Sequence, residues 1–184
     1  VDKFRRVLEL QPQHPEACHN YATALKYAGR LDEARTVAER CIGLAPEVAR
    51  VVWNLADIYT ELEMLEQAEP LSRRAIELDA GVAEYYNTLA RIVREQGRLE
   101  ESIKLNRQAI AIDPELVQGH NDLGVSLIAM GEMEEARRSI LHGLDLQPEF
   151  ALAYENLVRL KRHSAEDREL VERIQRLRDR LGPA

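Results

Sequence analysis

The sequence predicts an all-α protein, a solenoid of antiparallel helix pairs, and three observations predict it. Prolines recur on a lattice of 34 residues, at Pro12, Pro46, Pro114 and Pro148, with Ala80 in the remaining slot. The stretches before them agree: LELQP at 8–12, IGLAP at 42–46, IELDA at 76–80, IAIDP at 110–114 and LDLQP at 144–148. Within each unit the apolar residues fall twice into helical spacing, giving two helices per repeat.

In chain order, residues 1–14 read as the second helix of a preceding repeat, with Phe4, Val7 and Leu8 facing inward. Four full repeats follow, at 15–48, 49–82, 83–116 and 117–150. The first helix of the first repeat carries Cys18, Tyr21, Ala22 and Leu25 on one stripe. Its equivalents are Val52, Leu55, Ala56 and Tyr59, then Tyr86, Leu89, Ala90 and Val93, then His120, Leu123, Gly124 and Leu127. The second helices carry Ala34, Ala38, Cys41 and Ile42, repeated as Ala68, Ser72, Ala75 and Ile76. Between the stripes Gly29, Gly97 and Gly131 stand where a helix end wants a left-handed residue; Glu63 takes that place in the second repeat. Asp32, Glu66, Glu100 and Glu134 open the second helices, where a carboxylate meets the positive end of the helix dipole. Pro70 is expected near the start of its helix, where a missing N–H does least damage. Residues 151–184 read as a degenerate first helix and a capping helix. The cap begins at a capping box of Ser164 and Asp167, buries Leu170, Ile174, Leu177 and Leu181, and ends at Gly182-Pro183.

Small residues where two helices cross, with a proline closing each 34-residue unit, resemble the tetratricopeptide repeat family. The small positions are Ala22, Ala56, Ala90 and Gly124 in the first helices and Ala34, Ala68 and Ala136 in the second, with Ser102 as a departure. The aromatic usual in the first helix is present as Tyr86 and replaced by Cys18, Val52 and His120. The resemblance implies a right-handed superhelical solenoid whose first helices line a concave, ligand-binding face. The stretch YENLVRLKRHSAEDRELVERIQRLRDRL at 154–181 is also similar to the junction where some bacterial repeat arrays lead into a sulfotransferase domain.

Composition narrows the function. The chain has 184 residues, 45% hydrophobic, 31% charged, with a formal net charge of −7 and no clustering of Lys and Arg, which disfavours nucleic acid as a partner. No apolar run reaches the ~20 residues of a membrane span, and no secretory leader is recognisable at the start. Two cysteines, Cys18 and Cys41, cannot build a disulfide framework and are expected as reduced, buried thiols, in keeping with a cytoplasmic setting. The five histidines, His14, His19, His120, His142 and His163, fall at unrelated repeat positions, and no phosphate loop, HExxH or GxSxG motif occurs. No catalytic residue, cofactor or metal is expected.

The candidate binding residues lie on the first helices. One ladder runs Asn20, Asn54, Thr88, Asp122, Asn156, and its neighbour runs His19, Trp53, Asn87, Asn121, Glu155. An amide both donates and accepts, so a row of Asn suits an extended peptide backbone. The asparagines resemble the ladder that grips peptides in the repeats of O-linked N-acetylglucosamine transferase; the alternative is that they bond adjacent helices and fix the superhelix. Trp53 falls roughly 110° from the core stripe at 100° per residue. Two placements are open to it: displayed to a ligand, or laid flat against the neighbouring first helix. Asp57 and Glu61 face Arg91, Arg94 and Glu95; these charges either bridge neighbouring helices or meet a ligand. Further along, Val125, Ile128 and Ala129 suit a hydrophobic residue of a partner, and Arg159 and Arg162 suit an acidic one. The carboxylate clamp of chaperone-tail binders is not matched, because His19, Thr23, Asn54, Glu84 and Thr88 stand at its places.

The expected function is a non-catalytic module holding a peptide or protein segment on the concave face. The alternatives are an architectural unit that self-associates through its N-terminal edge, and a substrate-recruiting accessory domain of a larger enzyme. The chain begins in mid-repeat, which points to a piece of a longer array or to that self-association.

Overall fold

The computed structural model describes residues 1–10 and 14–161, and ten α-helices make up the described chain. They are α1 (Asp2–Leu10), α2 (Pro15–Tyr27), α3 (Leu31–Leu44), α4 (Ala49–Glu61), α5 (Leu65–Leu78), α6 (Ala83–Glu95), α7 (Leu99–Ile112), α8 (Val117–Met130), α9 (Met133–Leu146) and α10 (Ala151–Lys161). The expected capping helix, and with it most of the junction-like stretch, lies outside the described residues.

One turn geometry joins each first helix to its partner. Gly29, Gly97 and Gly131 take φ of 71°, 81° and 88°, and Glu63 takes 58°. After each, the next N–H reaches back to a carbonyl five residues earlier: Arg30 to Leu25, Met64 to Tyr59, Arg98 to Val93 and Glu132 to Leu127. This closure satisfies carbonyls that the helix end leaves open. It forms even where a glutamate must adopt the left-handed backbone, so the helix pairing dictates the turn. Acidic residues stand in the first turns of α3, α5, α7 and α9, where no side-chain cap is present. Pro70 departs from expectation. It sits inside α5, past the first turn, where it removes the bond that a sixth residue would donate to the Glu66 carbonyl.

Sequential helices of the described chain pack antiparallel, and the first helices also approach one another: α2 with α4, α4 with α6, α6 with α8 and α8 with α10. No comparable approach joins successive second helices among the described residues. An array whose first helices are drawn together and whose second helices splay apart must curve, with the first helices inside. The splayed side is laced by ion pairs instead. Glu69 of α5 accepts from Arg73 and from Arg98, and Arg73 also reaches Glu101 of α7. The Arg98 hydrogen bond, backed by those of Arg73 and Gln96, lowers the Glu69 carboxyl to about 2.

The core follows the crossings. Ala22, Ala34, Ala56, Ala68, Ala90 and Ala136 are fully buried where helices meet. The stripe opposite each first helix's own partner is buried too, at Ile58, Ile92 and Ser126, because a first helix has neighbours on more than one side. Cys18 and Cys41 correct the sequence-based expectation. They are joined as a disulfide between α2 and α3, with Cα atoms 5.7 Å apart. Both positions lie on core stripes, and the antiparallel crossing places them face to face.

Candidate functional site

The face of first helices carries two networks and two clefts, and the networks use most of the predicted binding residues. The first network spans α2, α4 and α6. Asp57 is buried and accepts from Lys26 Nζ and, at 2.9 Å, from Arg91 Nη2; Arg91 Nη1 lies 3.0 Å from Glu61. The second spans α6, α7, α8 and α10. Asn87 Nδ2 donates to Asn106 Oδ1 at 3.1 Å and to Asp122 Oδ2 at 3.0 Å, and Asn156 Nδ2 donates to Asn121 Oδ1 at 2.9 Å. Arg94 bonds Glu95 at 3.0 Å and stands 3.6 Å from Asp122.

A single rule underlies the ladders. Trp53 bonds Thr88, Asn87 bonds Asp122 and Asn156 bonds Asn121, each pair 35 residues apart across a first-helix junction. The two ladders therefore close on each other between neighbouring repeats. At the remaining junction His19 and Asn54 stand at the corresponding places, and His19 Nδ1 is buried without a hydrogen-bond partner. Asn54, Asn121 and Asn156 are only 2%, 2% and 4% exposed, so these amides do not present a row of open hydrogen-bonding groups. Asn20 is half-buried on α2. Of the two placements open to Trp53, the structure has the one against the neighbouring helix. Its Nε1 donates to Thr88 Oγ1 at 2.8 Å, and its ring centre lies 5.6 Å from that of Tyr85 on α6. The ring remains half-buried rather than enclosed, with Lys26 Nζ 6.0 Å from its centre.

The clefts are lined largely by residues the sequence placed on this face, among them Arg91, Arg94 and Ile128, together with turn residues it did not. The first, of about 550 Å³, is bounded by Thr60 and Glu61 of α4, Glu63 and Leu65 beyond it, and Arg91 and Glu95 of α6. The second, of about 470 Å³, is bounded by Arg94, Glu95, Gly97 and Leu99, by Val125, Ile128 and Ala129 of α8, and by Arg159 of α10. Glu95 is common to both. Glu63 had one signal in the sequence, its departure from glycine at the turn; Leu65 and Leu99 had none, because they read as ordinary helix starts.

Two histidines from unrelated repeat positions meet in space. His120 and His142, from α8 and α9, have ring centres 4.4 Å apart, because the antiparallel crossing in this repeat brings their turns level. His120 Nε2 bonds the Pro114 carbonyl at 2.8 Å. No group of three His, Cys, Asp or Glu able to hold a metal occurs among the described residues. Burial lowers the pKa of His120, with the nearby His142 adding to the effect against the opposing Pro114 bond. Burial likewise lowers that of His19, with Arg50 and Lys26 contributing. A histidine held below its unfolded value of about 6.5 binds protons less readily when folded. Its contribution to stability is therefore present above the unfolded value and is lost as pH falls below it through the lower folded value. The urea midpoint is expected to drop between about pH 7.5 and about pH 5.5, and His120→Gln is expected to flatten that slope. An unchanged slope in the variant would assign the acid sensitivity elsewhere.

Two family models described as tetratricopeptide repeat match residues 15–48 and 47–115. The chain belongs to the tetratricopeptide repeat family. Among solved structures, it superposes on PilF of Pseudomonas aeruginosa with a TM-score of 0.79 at 18% identity, covering 89% of this chain and 76% of that one. On YrrB, described as a tetratricopeptide protein with an unusual peptide-binding site, the TM-score is 0.64 at 15% identity, covering 96% and 91%. On MamA from Desulfovibrio magneticus it is 0.67 at 18%, covering 80% and 83%. At such identities the likeness is one of fold. No curated protein matches the sequence. No helix among the described residues is long and apolar enough to cross a membrane.

Proposed function

We propose that this protein is a non-catalytic interaction module that holds a peptide or protein segment along its face of first helices. The observation that carries the reading is the pair of adjoining clefts on that face, which meet at Glu95 and together run from the end of α4 to α10. The networks of Asp57, Arg91, Asn87, Asp122, Asn121 and Asn156 serve as the rigid back of the groove, and the partner is read by the cleft walls. Preorganised walls lower the ordering cost of binding. YrrB, with its peptide-binding site, is consistent with this use of the fold.

Selection of a random dodecapeptide display library on the immobilised protein tests the reading. Ala129 is exposed on the floor of the second cleft, so Ala129→Arg fills the groove without entering the core. Selected peptides are expected to bind the native chain and to lose binding to Ala129→Arg, while Arg74→Ala on α5 leaves it unchanged. Binding that ignores Ala129→Arg would sink the groove reading. A second reading, self-association through α1, is favoured by Phe4 and Leu10, which are 39% and 69% exposed. A mass independent of concentration would exclude it. The accessory-domain alternative depends on residues outside those described.

A further inference from the structure

Building on the groove reading, we infer that the second cleft takes an aliphatic side chain of the partner segment with a carboxylate side chain next to it, the carboxylate pairing with Arg159. Three observations lead there. The floor is aliphatic: Val125 and Ile128 are half-buried and Ala129 is exposed, with half-buried Leu99 on the wall. Such a surface gains from covering by another apolar side chain. Gly97 leaves the turn side open, since a Cβ placed there would meet nothing within 4 Å.

The charges around that floor are unequally matched. Arg94 is already paired, through Glu95 at 3.0 Å and Asp122 at 3.6 Å. Arg159 is exposed on α10 and has no acceptor among the described residues, although Glu155 stands one turn before it. An uncompensated guanidinium beside an apolar floor, in a chain of net charge −7, selects a carboxylate from solution.

The neighbouring cleft has the opposite bias. Glu61, Glu63 and Glu95 line it, and Arg91, its one cation among the described residues, is held by Asp57 and Glu61. An acidic residue is repelled there and accepted at α10, so the two clefts give the bound segment a direction as well as a composition.

Sequencing the peptide pools recovered on the native chain, on Arg159→Glu and on Ile128→Ser tests this. The native pool is expected to be enriched in aliphatic–acidic neighbours. Arg159→Glu is expected to shift the enrichment to aliphatic–basic neighbours and to weaken the leading acidic peptide by about fivefold, the scale of one exposed charge pair. Ile128→Ser is expected to weaken peptides of either charge. A native pool without acidic bias, or a bias unchanged in Arg159→Glu, overturns the assignment while leaving the groove reading standing if binding still fails on Ala129→Arg. Peptides indifferent to Ala129→Arg, or a library from which the native chain recovers nothing, overturn both.

Discussion

Ile140→Ala is expected to destabilise the protein by about 4 kcal/mol, and much of that loss is expected to be recovered by adding Gly124→Ala. The same helix crossing is repeated four times. Gly124 of the first helix meets Ile140 of the second, and the equivalent places of the earlier repeats hold Ala22 and Ala38, Ala56 and Ser72, and Ala90 and Asn106. All eight are fully buried or nearly so. In the fourth repeat the second helix carries a large side chain, and the first helix yields its Cβ. A Cβ on Gly124 would stand 2.3 Å from Ile140 Cγ1, 2.8 Å from Cδ1 and 3.1 Å from the Ala136 carbonyl. Gly124→Ala alone therefore overpacks, at a cost of about 1–3 kcal/mol. The gain in helix propensity of about 1 kcal/mol offsets part of it. Ile140→Ala alone leaves a cavity. The double variant reproduces the small-on-small crossing of the first repeat, so the two changes should be far from additive in urea unfolding. Strict additivity would show that the residues do not share the space assigned to them.

Reduction of the Cys18–Cys41 bond is expected to cost about 3 kcal/mol, from the loop closed by residues 23 apart. Urea unfolding with and without a phosphine reductant measures it, and the Cys18→Ala, Cys41→Ala chain should be indifferent to the reductant. Both sulfurs belong to fully buried residues. A reductant can meet them only after the first repeat opens, so reduction under native conditions should be slow and should accelerate with sub-denaturing urea. Immediate reduction in the folded protein would contradict that burial. The bond also bears on the sequence-based expectation of a reduced, cytoplasmic chain, since disulfides persist in oxidising compartments and are rare in reducing ones.

The sequence by itself determined the repeat, its helix pairs and its turns. Those features are local: a period of 34, a 3.6-residue apolar spacing and a residue tolerant of positive φ at Gly29, Gly97 and Gly131 are written in consecutive residues. It also placed Trp53, Asn87, Asn121 and Asn156 on the first helices, away from the core stripe. Only the tertiary structure decided what those residues face. A first helix turns 100° per residue and is flanked by its own partner, by the preceding second helix and by first helices on either side. A shift of a few tens of degrees in its rotation separates a side chain that lines the groove from one that locks two repeats together. At Asn121 and Asn156 the packing chose the lock; at Ile128 and Arg159 it chose the cleft lining. The meetings of Cys18 with Cys41 and of His120 with His142 were hidden for the same reason. Each joins residues on different helices, and the level at which two antiparallel helices cross is set by packing across the pair, not by the order of residues along either one.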